Sequence, residues 1–250
     1  MRAPSDSGQN RGMSHAIPIS DRLIVALDLP TADEARMLVR RLGAAVSFYK
    51  IGLQLQYAGG IDLARELIDQ GKKIFLDSKL LDIDQTVTGA TANIARLGVD
   101  FLTIHGHAPT LRAAVEGRGA SRLRLLAVTV LTSMGSEDMA ELGTRFSVAE
   151  MVLRRAQTAI ETGCDGVVAS GLEARQIRAL AGDRLLIVTP GIRSEGIATD
   201  DQKRATTPRE AIAAGADYLV MGREILRSGD PGSTAEKILR QIESALPSEH

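Results

Sequence analysis

Four charged residues of alternating sign, Lys50, Asp77, Lys79 and Asp82, set the chemical question posed by this sequence. A lone ammonium or carboxylate drawn into a protein interior costs several kcal/mol, roughly, unless an opposite charge and hydrogen bonds compensate it. In this order the four would neutralise one another and form a fixed electrostatic array. Such an array suits a reaction that moves charge without redox or metal help. Asp77 and Lys79 stand two apart, so on a strand their side chains would share a face. Asp28, Thr132 and the run Thr189-Pro-Gly-Ile-Arg193 place further polar groups at the ends of apolar segments. Gly222 would let a backbone approach an anion closely, and Arg223 beside it offers a two-pronged donor, a pattern suited to phosphate. Each of these charges alone reads equally well as a solvated strand end, and a Gly-Arg pair as a turn with a surface arginine. Their joint recurrence favours a site. His105 and His107 have metal-ligand spacing but no acidic or cysteine partner nearby in sequence, so they read as histidines of a strand end and no metal site is assigned.

The elements that must position these groups alternate. Short β-branched or leucine-rich runs cover Leu23 to Leu29, Ser47 to Leu53, Lys73 to Lys79, Phe101 to Gly106, Leu125 to Leu131, Gly166 to Ser170, Leu185 to Thr189 and Tyr218 to Gly222. Helical patterns separate them, which is the signature of βαβ units and a parallel sheet. Thr31 with Glu34 and Ser147 with Glu150 fit capping boxes, and Thr207, Pro208 and Glu210 add a proline at a first helical position. Ala35, Leu38, Val39 and Leu42 form the apolar stripe of the first helix. A weak repeat, Gly98-Val-Asp100, Gly163-Cys-Asp165 and Gly215-Ala-Asp217, ends three helices at a glycine shortly before a strand. A doubly wound sheet would open with a glycine-rich turn after its first strand; the sequence here is Asp28-Leu29-Pro30-Thr31. The expected fold is therefore α/β, a single-domain (β/α)8 TIM barrel. In such barrels reacting groups gather at the carboxyl ends of the strands, and phosphate sites recur after strands seven and eight. The long connection holding Gly196, Asp201 and Gln202 could fold over a ligand as a lid.

Bulk properties narrow the partners. The 250 residues suit one such barrel, and Lys+Arg 30 against Asp+Glu 31 leaves no long-range field to hold a polyanion. A nucleic-acid partner is not expected. The single cysteine, Cys164, excludes a disulfide framework and reads as an inert apolar residue of a reducing compartment. No apolar run reaches membrane-spanning length, and residues 1–19 read as a polar tail ahead of a barrel domain at 20–250. A cytoplasmic location is expected. Met134 and Met151 read as core or loop filler, and Arg154, Arg155, Arg175 and Arg178 as solvated helix faces.

Asp77-Ser-Lys79-Leu-Leu-Asp82-Ile83 resembles the Asp-x-Lys-x-x-Asp-Ile signature of the orotidine 5′-phosphate decarboxylases, and the likeness extends over nearly all of residues 22–232. It includes LIVALDLP at 23–30, FYKIGLQL at 48–55, VTVLTS at 128–133, VTPGIR at 188–193, DDQKR at 200–204 and VMGREI at 220–225. The resemblance implies a decarboxylase of orotidine 5′-monophosphate that needs no cofactor, with Lys79 protonating C6 as carbon dioxide leaves. It implies a charged tetrad of Lys50, Asp77, Lys79 and Asp82, and a homodimer in which Asp82 reaches the neighbouring active site. By the same likeness Asp28 and Lys50 hold ribose hydroxyls, Thr132 the pyrimidine side, Gln202, Gly222 and Arg223 the phosphate, and Arg193 the phosphate end. Thr86 is retained as a donor, although Asp84-Gln85 stands where many members have Pro-Asn. The paired glycines common after the strand-four histidine are missing, so His105 receives no catalytic role. Two other readings share these features: a magnesium-dependent enzyme of keto-sugar phosphates, and a non-catalytic nucleotide sensor. Chelation separates the first, and the retained tetrad argues against the second.

Overall fold

A computed structural model describes residues 17–194 and 206–246. Eight parallel strands close into a barrel in chain order: β1 Leu23–Ala26, β2 Phe48–Gly52, β3 Lys73–Leu80, β4 Phe101–His105, β5 Arg124–Val128, β6 Gly166–Val168, β7 Leu186–Pro190 and β8 Tyr218–Met221. The last pairs with the first, Ile24 opposite Val220. Each expected strand is present: β2, β4, β6 and β8 are a residue or two shorter, β1 and β5 stop three residues early, β3 runs one residue further and β7 is shifted by one. One main helix follows each: α1 Ala32–Leu42, α2 Ile61–Asp69, α3 Asp84–Leu97, α4 Ala108–Arg118, α5 Val148–Thr162, α6 Gly171–Ala181, α7 Pro208–Ala213 and α8 Pro231–Glu243. Among the described residues no helix is long and apolar enough to cross a membrane.

Period-two alternation in the strands separates two cores. Residues of one parity, among them Val25, Ile51, Leu76, Leu102 and Ala127, pack outward against the helices. The other parity fills the barrel floor with Ile24, Phe48, Phe75, Phe101, Leu126 and Tyr218. Phe101 is the hub of this floor, with ring centroids 5.0 Å from both Phe48 and Tyr218 and 5.9 Å from Phe75. Tilted and edge-on pairs of this kind add to the area they bury. On the outer side Ala35, Leu38, Val39 and Leu42 of α1 are all buried, as their spacing predicts.

The helix signals are realised with one amendment. Ser147 and Thr207 form complete capping boxes with Glu150 and Glu210. At Thr31 only half a box forms: its hydroxyl accepts from Glu34 N, while Glu34 makes no return bond to the cap. Gly98, Gly163 and Gly215 all have positive φ, at 82°, 82° and 102°.

The aspartate two places after each of these glycines has a function the repeat did not disclose. Asp100 N–H donates to Ile74 O while the Asp100 carboxylate accepts from Ile74 N, clasping the start of β3. Asp165 clasps Leu125 of β5 and Asp217 clasps Ile187 of β7 in the same way. Arg118 pairs with Asp165, and Arg178 with Asp217 at 2.6 Å. Arg178 therefore ties α6 to the barrel base, contrary to its expected place on a solvated face. Arg155 departs likewise: it is half-buried against Gly106 and donates to Thr129 O. Ile17 packs on the barrel floor and Ile19–Arg22 is a short helix; residues 1–16 of the stretch expected as tail lie outside the described ones.

Candidate active site

The inward parity that lays down the aromatic floor also builds the mouth. Two positions beyond Ala26, Phe48 and Phe75 stand Asp28, Lys50 and Asp77, so each strand carries an apolar side chain low in the barrel and a charge above it. Lys50 Nζ lies 3.0 Å from Asp28 Oδ1 and 3.4 Å from Asp77 Oδ2, and Asp77 Oδ1 lies 2.8 Å from Lys79 Nζ. The result is a continuous line of contacts, Asp28–Lys50–Asp77–Lys79. Its two central members are the most enclosed, with side chains 11% and 13% exposed.

Neither central charge would survive alone in such a place. Burial works against the Lys50 ammonium, but Asp77 and then Asp28 outweigh it and hold its pKa above the ordinary lysine value. Burial likewise opposes the Asp77 carboxylate, and Lys50, Lys79 and the hydroxyl of Thr103 together hold it below the usual aspartate range. Both groups are thus fixed in their charged forms. Gly52 leaves the space for this: a Cβ there would sit 3.1 Å from Lys50 Nζ and 3.2 Å from Asp28 Oδ1.

Asp77 and Lys79 do meet, but not through regular strand geometry. Leu76 pairs with Leu102 and Leu80 with Ile104, so three residues of β3, Asp77 to Lys79, stand opposite the single residue Thr103 of β4. This bulge is closed by Lys79, whose φ of 49° makes it the one non-glycine residue in the left-handed region among the described residues. A bulge re-aims side chains beside a site, and a non-glycine residue held there is strained by about 1–3 kcal/mol. Thr103, fully buried, secures it: Lys79 N–H donates to Thr103 Oγ1 at 2.9 Å, and the hydroxyl donates to Asp77 Oδ1 at 2.9 Å. Thr103 was not a sequence candidate. A threonine within a strand reads as an ordinary β-former, and only its position above Phe101 in the inward parity could have pointed to it.

Across the mouth, Thr132, Arg193, Gly222 and Arg223 line the same cleft as Asp28, Lys50, Asp77 and Lys79. Arg193 is buried and its Nη1 donates to Ile192 O at 2.6 Å. Arg223 opens a short helix, Arg223–Leu226, directly after Gly222. Apolar residues that were not singled out in the sequence complete the walls, notably Val130, Leu131, Ala169 and Pro190. The cleft therefore has a charged side on β1 to β3, a cationic side after β7 and β8, and an apolar wall between them.

Two candidates stand apart from it. Asp82 does not line the cleft of its own chain; it is exposed, and its carboxylate accepts from Ile83 N at 2.7 Å. Thr86, in the first turn of α3, is exposed too. In this chain Asp28, not Asp82, is the fourth member of the line of charges. Gln202, with Gly196 and Asp201 of the expected lid, lies outside the described residues. His105 is half-buried, and burial, then Arg155, His107 and Lys79, keep its pKa below the ordinary histidine value.

Residues 21–238 match the family described as orotidine 5′-phosphate decarboxylase / HUMPS. A protein of Nitrobacter winogradskyi named orotidine 5′-phosphate decarboxylase is 52% identical over 226 residues, covering 90% of this chain and 94% of that protein. A protein of the same name from Methylobacterium nodulans is 53% identical over 228 residues, covering 90% and 97%. The crystal structure of orotidine 5′-phosphate decarboxylase from Lactobacillus acidophilus superposes with a TM-score of 0.78 at 36% identity, over 89% of this chain and 99% of that one.

Proposed function

The chain belongs to the orotidine 5′-phosphate decarboxylase / HUMPS family, and on that premise we propose that its barrel mouth does the family's chemistry with Lys79 as acid and Asp28, Lys50 and Asp77 as the frame around it. The reaction is the decarboxylation of orotidine 5′-monophosphate to UMP in pyrimidine biosynthesis. The observation that carries the assignment of roles is the line of contacts Asp28–Lys50–Asp77–Lys79 facing Arg193 and Arg223 across one cleft.

When the bond from C6 to the carboxylate breaks, carbon dioxide leaves and the electron pair stays on C6, where no neighbouring carbonyl or imine can delocalise it. A fixed positive charge at that carbon is the most useful group a protein can supply. The Lys79 ammonium supplies it and then gives a proton to C6, to be reprotonated from solvent. Asp77 holds the ammonium in place by its 2.8 Å contact. No metal or organic cofactor is required by this scheme. Asp28 and Lys50 hold the ribose hydroxyls and Thr132 the pyrimidine. Arg193, Gln202, Gly222 and Arg223 take the phosphate, whose binding far from C6 helps to assemble the site.

The enzyme is a homodimer in which Asp82 and Thr86 complete the partner's site. Their exposure supports this, as do the bare apolar side chains on either side of Asp82, Leu81 at 56% and Ile83 at 70% exposed. The partner is a free nucleotide and neither a nucleic acid nor a membrane, and the enzyme works in the cytoplasm; the buried Cys164, its thiol pushed up to about 11 by burial, suits a reducing compartment.

The test is to follow the ultraviolet change on mixing protein with orotidine 5′-monophosphate in EDTA, with Lys79→Ala in parallel. Conversion by the wild type that EDTA leaves untouched, and loss of about a thousandfold or more in Lys79→Ala, is expected. Activity that requires added magnesium, or survives in the variant, overturns the scheme.

A further inference from the structure

We propose that Thr103 is a positioning residue of the active site, holding the acid Lys79 and its carboxylate Asp77 in one rigid unit. The inference rests on the roles given above to Asp77 and Lys79, and deepens them. Three observations carry it. Thr103 alone stands opposite the three bulged residues Asp77 to Lys79. Its hydroxyl uses both of its hydrogen-bonding functions on that bulge, accepting from Lys79 N–H and donating to Asp77 Oδ1. It is fully buried, so its hydroxyl is committed to these two partners and not to solvent.

The physical need for such a residue follows from the bulge. Lys79 sits at φ 49°, a region that a lysine enters only when its surroundings impose it. Its backbone N–H lies where the β3–β4 ladder is interrupted, and there the partly buried bond to Thr103 satisfies it. The Asp77 carboxylate faces Lys50 through one oxygen and Lys79 through the other. A donor from Thr103 at the Lys79-facing oxygen fixes the rotation of the carboxylate plane, and so the place to which the Lys79 ammonium is drawn. One hydroxyl thereby sets both the backbone and the side-chain position of the acid. Displacing a reacting group by about 1 Å can cost a hundredfold in rate.

Thr103→Val keeps the shape and removes both bonds. It is expected to lower kcat by about tenfold to a hundredfold while KM moves by less than about threefold, because the phosphate contacts lie elsewhere in the cleft and Lys50 keeps its contact with Asp28. Thr103→Ser, which keeps the hydroxyl and drops the methyl, is expected to recover kcat to within about threefold of wild type. UMP titration by calorimetry counts competent sites, so that rates are referred to folded enzyme. Should the valine variant not fold, Thr103→Ala against Thr103→Ser makes the same comparison. Wild-type kcat in the hydroxyl-free variants, or equal losses with and without the hydroxyl, overturns the proposal. Failure of the wild type itself to convert orotidine 5′-monophosphate would instead sink the underlying assignment.

Discussion

At the scale of single residues, the site is governed by which charges could stand alone. Asp77 touches both lysines and is the member whose loss leaves most uncompensated. Asp77→Asn should cost about 3 kcal/mol in stability, as a buried pair broken from one side does, and should abolish turnover. The pH dependence has a defined sign. Asp77 is held below the usual aspartate value, so its stabilisation is complete above the unfolded value of about 3.9 and is lost as pH falls through the folded one. Lys50 is held above the lysine value, so its share is present below about 10.4 and is lost only as pH rises through a still higher one. Urea midpoints of wild type and Asp77→Asn should therefore differ by a constant amount through neutral pH and converge as pH drops below about 4. A gap that persists undiminished at pH 3 would mean that the carboxylate is not the source of the stabilisation.

At the scale of elements, the two ends of the strands do different work. The mouth holds reactive groups under strain, while the base holds the clasps of Asp100, Asp165 and Asp217 on neighbouring strands. Asp217→Ala removes a partner from both Ile187 N and Arg178, and should cost about 2–4 kcal/mol. Because the loss falls at the opposite end from the cleft, kcat and KM per folded molecule should stay at wild-type values while the thermal midpoint drops. A parallel fall in kcat would mean that the base is coupled to the chemistry. The same division explains what could be read in advance. Strands, helix stops and the placement of Asp28, Lys50 and Asp77 follow from local periodicity, glycine and parity, all written within a few neighbouring residues. The bulge at Asp77 to Lys79 has no such signal: it contains neither glycine nor asparagine, and its left-handed lysine is imposed by Thr103 from 24 residues away in sequence. The clasps were visible as a repeat, but their role depends on which strand lies alongside, and that is fixed only when the barrel closes.

At the scale of the whole molecule, the chain presents Asp82 to solvent between Leu81 and Ile83, outside the cleft that its own Lys79 occupies. Tyr57, 90% exposed on the segment that follows β2, and Leu53, 47% exposed at the end of that strand, add apolar surface after the strand next to β3. A two-fold dimer would bury the same patch on both chains and carry each Asp82 toward the other's mouth. The arrangement makes a quantitative prediction about mixed dimers. Lys79→Ala lacks the acid in its own site but lends an intact Asp82; Asp82→Ala keeps its acid but lends nothing. Each variant alone should therefore be inactive or nearly so. Unfolded together in equal amounts and refolded, half of the dimers would be mixed, and each of those would have one site with both groups and one with neither. Activity should return to roughly a quarter of the wild-type value per chain. Native mass spectrometry, with one variant carrying a tag, would establish that mixed dimers have formed. If they form and no activity returns, Asp82 serves the site of its own chain, and the loop from Leu81 to Ile83 must fold inward over Lys79 when substrate binds.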